Sequence, residues 1–164
     1  MKTLDDYYEA YAKGIFTYIY AFCHNRAQAE DIVQETFYRA YLCLNELQDE
    51  TIKAWLYRVA YNTFIDYVRK ERRSSPQEPA YFLRLKASDF SKRFENQQEL
   101  LVVFQQIEAL PFQQKQALLL SSVHALSYGQ IAGILEVSEA SVKSLIFRAR
   151  ATLKRNRKGE GSYE

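Results

Sequence analysis

Five glycines and three prolines in a chain of 164 residues are too few breakers for the many tight turns of an all-β sandwich or barrel. The residues between them follow a helical period instead. Tyr11, Ile15, Tyr18, Ile19 and Phe22 repeat at helical spacing, and Val33, Phe37, Ala40, Leu44 and Leu47 form a second stripe of the same kind. Asn25, with Gln28 three residues on, reads as a capping box that opens the second helix. A polar loop is expected over 45–50, then a third helix over 51–72 with Ile52, Leu56, Val59, Ala60 and Thr63 facing inward. Three such amphipathic helices are enough to bury a small shared core.

Two of the three prolines fall in the run Arg72-Arg73-Ser74-Ser75-Pro76-Gln77-Glu78-Pro79, which no helix passes through. A linker is therefore expected over 75–95. Its Tyr81, Phe82, Leu83, Leu85 and Phe90 are unusual in a free tether and point to a linker that docks. Beyond it, Leu100, Val103, Phe104 and Ile107 predict a short helix that stops at Leu110-Pro111. Pro111 suits the first position of the next helix, which holds Ala117 to Leu120 and ends near His124. Ser127 with Gln130 forms a second capping box, and Ser138 begins a last helix that runs to about Arg155. The expected fold is all-α: two small helical domains, 1–74 (three or four helices) and 96–158, joined by a flexible linker, with a tail at 159–164.

The net charge of +2 hides a pattern. Residues 1–50 carry four Lys/Arg against nine Asp/Glu, 51–90 eight against four, 91–140 three against five, and 141–164 seven against two. Two basic blocks, each following an acidic one, fit either two polyanion-binding surfaces or ordinary solvated helix faces. No run approaches the roughly 18 apolar residues of a membrane span. The acidic start Asp5-Asp6 lacks the apolar core of a signal peptide, and a cytoplasmic protein is expected. Cys23 and Cys43 lie on different predicted helices and read as buried thiols.

The chemistry lies in the pattern of short helix, tight turn and long helix over 127–155. Ile131, Leu135, Val137, Val142 and Ile146 occupy the apolar positions of a helix-turn-helix, with small Ala132 at the close approach. In that motif the first half of the second helix enters the DNA major groove. Lys143, Ser144, Phe147 and Arg148 then meet bases and phosphates, and Arg150, Lys154, Arg155, Arg157 and Lys158 extend the basic surface.

These residues resemble a known family. Ile107-Glu-Ala-Leu-Pro111, Leu126-Ser-Tyr-Gly-Gln-Ile-Ala132, Val137-Ser-Glu-Ala-Ser-Val-Lys-Ser144 and Phe147-Arg-Ala-Arg150 are similar to the C-terminal domain of bacterial RNA polymerase sigma factors of the extracytoplasmic-function type. The N-terminal half agrees: Ala29-Glu-Asp-Ile-Val-Gln-Glu-Thr-Phe-Tyr-Arg-Ala40 resembles the polymerase-binding helix, and the segment from Ala54 to Lys70 the promoter-melting helix. The resemblance implies that Asp31, Gln34 and Glu35 grip the coiled coil of the beta-prime subunit. It also implies that the loop and helix start at 45–53, with Asn45 and Lys53, capture a base extruded from melted minus-ten DNA, whose edge is readable only outside the duplex. Asn62, Asp66, Arg69 and Lys70 would meet the adjacent backbone. Trp55 and Tyr61 are candidate stacking platforms, although aromatics at helical spacing also fill cores. Tyr128, Ser141, Lys143, Ser144, Phe147, Arg148 and Arg150 would read the minus-thirty-five duplex. Implied partners are core polymerase (beta-prime coiled coil and beta flap), promoter DNA and an anti-sigma protein.

Three positions depart from the family pattern. Leu145 stands where arginine is usual, and a thymine methyl is one replacement contact. Glu136 replaces a turn glycine; a left-handed conformation there costs about 1 kcal/mol, so another backbone geometry is expected. Lys115 replaces an arginine. An enzyme is disfavoured: Asp31 and Glu35 lack convergent ligands, His24 and His124 lack companions and read as surface or boundary residues, and no glycine-rich phosphate loop is present. Neither catalytic residues, metal nor cofactor are expected. A stand-alone helix-turn-helix regulator is the alternative, and the 31–37 stripe, which such a protein does not need, separates the two.

Overall fold

The computed structural model describes residues 2–74 and 98–160, which belong to two compact units, 1–86 and 87–164. The described residues form seven α-helices, one 3-10 turn and no strand. The expected linker lies outside them. So does most of the expected tail, whose first two residues instead continue the last helix.

In the N-terminal unit, α1 (Leu4–Cys23), α2 (Arg26–Leu42) and α3 (Ile52–Ser74) pack pairwise against one another. Helix α1 starts about two turns before its apolar stripe, because Thr3 and Asp6 form a capping box: Asp6 N–H donates to Thr3 Oγ1 at 3.2 Å, and Thr3 N–H donates to Asp6 Oδ2 at 2.7 Å. The Thr3 N–H, and then the Thr3 hydroxyl that donates to the same Asp6 Oδ2 at 2.9 Å, hold the Asp6 carboxyl below its ordinary pKa. Asn25 caps α2 by accepting from the Gln28 N–H at 3.0 Å, one half of the expected box. The apolar stripe of α2 does not reach Leu47. The helix stops at Leu42, and Leu44–Glu46 forms a 3-10 turn that leaves Leu44 and Leu47 half-buried.

The core is aromatic where the helices meet. Tyr18 lies 5.5 Å from both Phe22 and Tyr57, Phe22 lies 6.1 Å from Phe64, and Tyr8 packs edge-on to Phe37 at 4.9 Å between ring centres. Such pairs add about 0.5–1.5 kcal/mol each beyond area burial. On α3, Ile52, Leu56 and Ala60 are buried as expected; Val59 and Thr63 are half-buried, and Tyr57 and Phe64 complete the inner face. His24 is a core-side residue rather than a surface one: it is buried, and its left-handed backbone (φ 51°) ends α1 with its N–H donating to the Tyr20 carbonyl. Cys23 is buried, whereas Cys43, just past α2, is only half-buried.

In the C-terminal unit, α4 (Gln98–Glu108) leads to α5 (Phe112–Ser122), α6 (Tyr128–Leu135) and α7 (Glu139–Glu160). Pro111 serves as the residue before α5 rather than its first. Val103 is 47% exposed and Phe104 and Ile107 half-buried, so α4 is covered less fully than its pattern predicts, and the Leu100 side chain lies outside the described residues. Lys115 is 3% exposed, with Nζ 2.6 Å from Glu108 Oε1, which ties α5 to the end of α4. A buried charge of this kind persists because it is paired. His124 is also buried. Leu110 and Leu118 pack with Ala149, and Leu153 lies against them, so α7 closes the core.

The hydrogen bond from Tyr7 to the Asp49 carboxylate, then burial, pushes the Tyr7 phenol up to about 12, and burial does the same for Tyr57. An ordinary tyrosine ionises near 10. Their contribution to stability is therefore full below about pH 10 and is lost as pH rises through the folded value of about 12. Thermal unfolding followed by fluorescence of Trp55, the chain's one tryptophan, should show a midpoint that falls from about pH 10 upward. Tyr57→Phe should flatten that fall.

Candidate functional site

Two capping arrangements build the helix-turn-helix. At the start of α6, Gln130 N–H donates to Ser127 Oγ at 3.1 Å, and Ser127 N–H donates back to Gln130 Oε1 at 2.9 Å. At the start of α7, Ser141 N–H donates to Ser138 Oγ at 3.1 Å, with the two hydroxyls 2.8 Å apart. Helix α6 is eight residues long, as expected. Contrary to the expectation for Glu136, the turn does take the left-handed conformation (φ 56°, ψ 45°), and the N–H groups of Glu136 and Val137 both donate to the Ala132 carbonyl. Two hydrogen bonds closed by one carbonyl offset the backbone strain.

Burial then sets the rotation of α7. Val142, Ile146 and Ala149 are 0–1% exposed, and on α6 Ile131, Ile134 and Leu135 are buried beside them. The opposite face of α7 consequently carries Ser141, Lys143, Ser144, Phe147, Arg148 and Arg150, all exposed, with Phe147 at 74%. Arg155, Arg157 and Lys154 continue the exposed basic surface, while the Lys158 side chain lies outside the described residues. Tyr128 is half-buried at the start of α6. Leu145 is also half-buried, so its side chain is shared between packing and the exposed face. Ser141 takes part in the cap that starts the helix, which ties it to the turn.

On α2, Ala29, Ile32, Val33, Thr36, Phe37 and Ala40 face the core. Asp31 and Gln34 are exposed on the other side, and Glu35 is half-buried with its carboxylate 2.9 Å from the Arg39 Nε. That intrahelical pair is worth about 0.3–0.5 kcal/mol, little enough for a partner to displace. Gln34 also lines an open groove of about 410 Å³ between α1 and α2, with Tyr8, Lys13, Phe16 and Arg26. Exposed Tyr38, Tyr41 and Leu42 (57–65%) extend this outer face. Sequence reasoning passed over them, although none of the three falls on the Val33/Phe37/Ala40 stripe.

The remaining candidates divide by exposure. Asn45, inside the 3-10 turn, is exposed, and Lys53, the second residue of α3, is half-buried. Asn62, Asp66, Arg69 and Lys70 are exposed along one side of α3. Trp55 and Tyr61 are half-buried, neither core residues nor free faces; Tyr57 takes the core position between them. On the neighbouring turn of α3, burial and a hydrogen bond to Glu71 raise the Tyr67 phenol above its ordinary pKa. Among the described residues, no group of three His, Cys, Asp or Glu side chains converges as a metal site would require. No described helix is long and apolar enough to cross a membrane.

Comparison with known proteins gives matches in the same order along the chain. Residues 7–74 match the family described as Sigma-70 region 2, and residues 100–153 match Sigma-70, region 4. The chain is 31% identical over 166 residues to the ECF RNA polymerase sigma factor SigM of Bacillus subtilis, covering 93% of each chain. It is 33% identical over 136 residues to the ECF RNA polymerase sigma-E factor of Escherichia coli, covering 75% of this chain and 70% of that one. In fold it is similar to the sigma factor RpoE of Bartonella quintana, solved in complex with the anti-sigma factor NepR (TM-score 0.72, 20% identity, 96% and 98% of the two chains). It is also similar to CnrH, solved with the cytosolic domain of CnrY (TM-score 0.66, 21% identity, 95% and 88%).

The left-handed Glu136 supplies a test of the turn. Glu136→Gly should stabilise the C-terminal unit by about 1 kcal/mol, read as a higher urea midpoint with an unchanged helical signal.

Proposed function

The chain belongs to the sigma-70 family of bacterial RNA polymerase sigma factors, of the extracytoplasmic-function type. From that premise we propose that it is a dissociable initiation subunit that binds core polymerase through the N-terminal unit and reads promoter DNA with both units. The observation that carries the reading is the α6-turn-α7 geometry, in which Val142, Ile146 and Ala149 are buried and Lys143, Ser144, Phe147 and Arg148 face outward. A helix presented this way fits a major groove, with cations for phosphates and polar or apolar side chains for base edges. Ser141, Tyr128 and Arg150 flank that contact. Leu145, where the family has arginine, offers a thymine methyl an apolar neighbour.

Core polymerase is held by Asp31, Gln34 and Glu35 on α2, against the beta-prime coiled coil, while the C-terminal unit meets the beta flap. Exposed Tyr38 and Tyr41 suit the same interface, since aromatics are enriched there. In the N-terminal unit, Asn45 and Lys53 bracket the loop that receives an extruded minus-ten base. Trp55 and Tyr61 offer half-exposed rings for stacking. Asn62, Asp66, Arg69 and Lys70 line the path of the adjacent strand. An anti-sigma protein holds the free chain inactive, a reading supported by the anti-sigma factor NepR bound to the similar sigma factor RpoE. Such a subunit works where polymerase and promoters are, in the bacterial cytoplasm, and carries out no catalysis of its own.

Asp31→Ala combined with Gln34→Ala should weaken affinity for core polymerase about tenfold or more, the loss expected of interface anchors, with the unfolding midpoint unchanged. Unaltered affinity would remove the role given to α2. Separately, Arg148→Ala should weaken binding to minus-thirty-five duplex and lower the salt slope of log K by about 1, as for one lost phosphate contact.

A further inference from the structure

The loop between α2 and α3 is tied to the rest of the unit by a contact far away in sequence. Tyr7, 5% exposed in the second turn of α1, donates its hydroxyl proton to Oδ1 of Asp49. Asp49 sits in the turn that leads into α3, where Thr51 N–H and Ile52 N–H both donate to the Gln48 carbonyl at 3.1 and 3.0 Å. Ile52, the first residue of α3, is fully buried, so the turn is anchored on its helix side by packing and on its outer side by the tyrosine. The tyrosine is itself set by the Thr3–Asp6 box and by its N–H, which donates to the Thr3 carbonyl at 3.2 Å. The turn lies between Asn45 and Lys53, the residues on either side of it assigned above to the minus-ten element.

We propose that Tyr7 is a positioning residue for minus-ten recognition, holding the 45–53 loop through Asp49 in the conformation that receives the extruded base. The proposal rests on the reading of that loop given under the proposed function. A loop that spends only a tenth of its time in the receptive conformation binds its base about tenfold more weakly, and the Tyr7–Asp49 bond removes that loss by ordering the loop beforehand. Asp49 contributes as the acceptor, so the amide oxygen of asparagine can replace it whereas a methyl group cannot.

The test uses holoenzyme assembled from the full chain and core polymerase. The probe is fork-junction DNA with a duplex minus-thirty-five region and a single-stranded minus-ten segment, both randomised; bound molecules are sequenced. Tyr7→Phe and Asp49→Ala should each lose about tenfold of the wild-type preference at minus-ten, with preference at minus-thirty-five and affinity for core unchanged, whereas Asp49→Asn should keep most of it. Should Tyr7→Phe fail to fold, Asp49→Ala, in an exposed turn, carries the same test. Wild-type minus-ten preference in the two disabling variants, whatever their thermal midpoints, overturns the proposal. So does an Asp49→Asn variant as impaired as Asp49→Ala, which would mean that the carboxylate acts by itself. If the wild-type holoenzyme itself selects nothing at minus-ten, the reading of the loop fails and the proposal falls with it.

Discussion

Burial of a single stripe on α7 is the constraint on which the exposed basic face of the C-terminal unit depends. Val142, Ile146 and Ala149 have no exposed surface to give up, and Leu153 continues the stripe against Leu110 and Leu118. Rotating the helix by one residue would expose that stripe and bury Lys143 or Arg148, whose charges have no partner inside. Packing therefore determines which side chains are available for recognition, and the basic face is presented without any strain in α7 itself. The strain lies three residues before α7 begins, at Glu136, where the turn that sets the angle between α6 and α7 takes a conformation that glycine would adopt more cheaply.

The same logic operates on α2, with a different chemistry on the outside. Ile32, Val33, Thr36 and Phe37 hold one face against α1 and α3, and Asp31 and Gln34 are left outward. The charge alternates within each unit: α1 and α2 fall in the acidic block over 1–50 and α3 in the basic block over 51–90, while α7 carries the basic block that ends the chain, so the near-neutral total is a sum of blocks of opposite sign. A modest net charge also limits non-specific attraction to DNA, which rises with the number of phosphates neutralised. That suits the proposed role, in which promoter contacts are made beside polymerase.

The features legible in the sequence were those with a local cause. The Ser127/Gln130 and Ser138 caps depend on residues three apart, and they mark the first residues of α6 and α7, whereas the end of α7, expected near Arg155, lies at Glu160. The apolar stripe of α7 was equally plain. What was not legible depended on distant partners or on competing local terms. Lys115 resembles a surface cation until Glu108 is brought beside it, and His24 and His124 resemble boundary residues until the helices close over them. Tyr57 and Phe64 entered the core of α3 where Val59 and Thr63 were expected, because the large rings of Tyr18 and Phe22 on α1 reach toward them. The periodic Leu44 and Leu47 continued a pattern past the point where the backbone tightened into a 3-10 turn. The Tyr7–Asp49 bond, spanning 42 positions, has no sequence signature at all.

Under the proposed function, one chain couples a polymerase-binding unit to a promoter-reading one. Run-off transcription of genomic fragments by core polymerase, with and without the purified chain, tests it most directly. Discrete new start sites should appear only when the chain is added and should share one pair of minus-thirty-five and minus-ten sequences. A pattern of transcripts identical to that of core enzyme alone would contradict it.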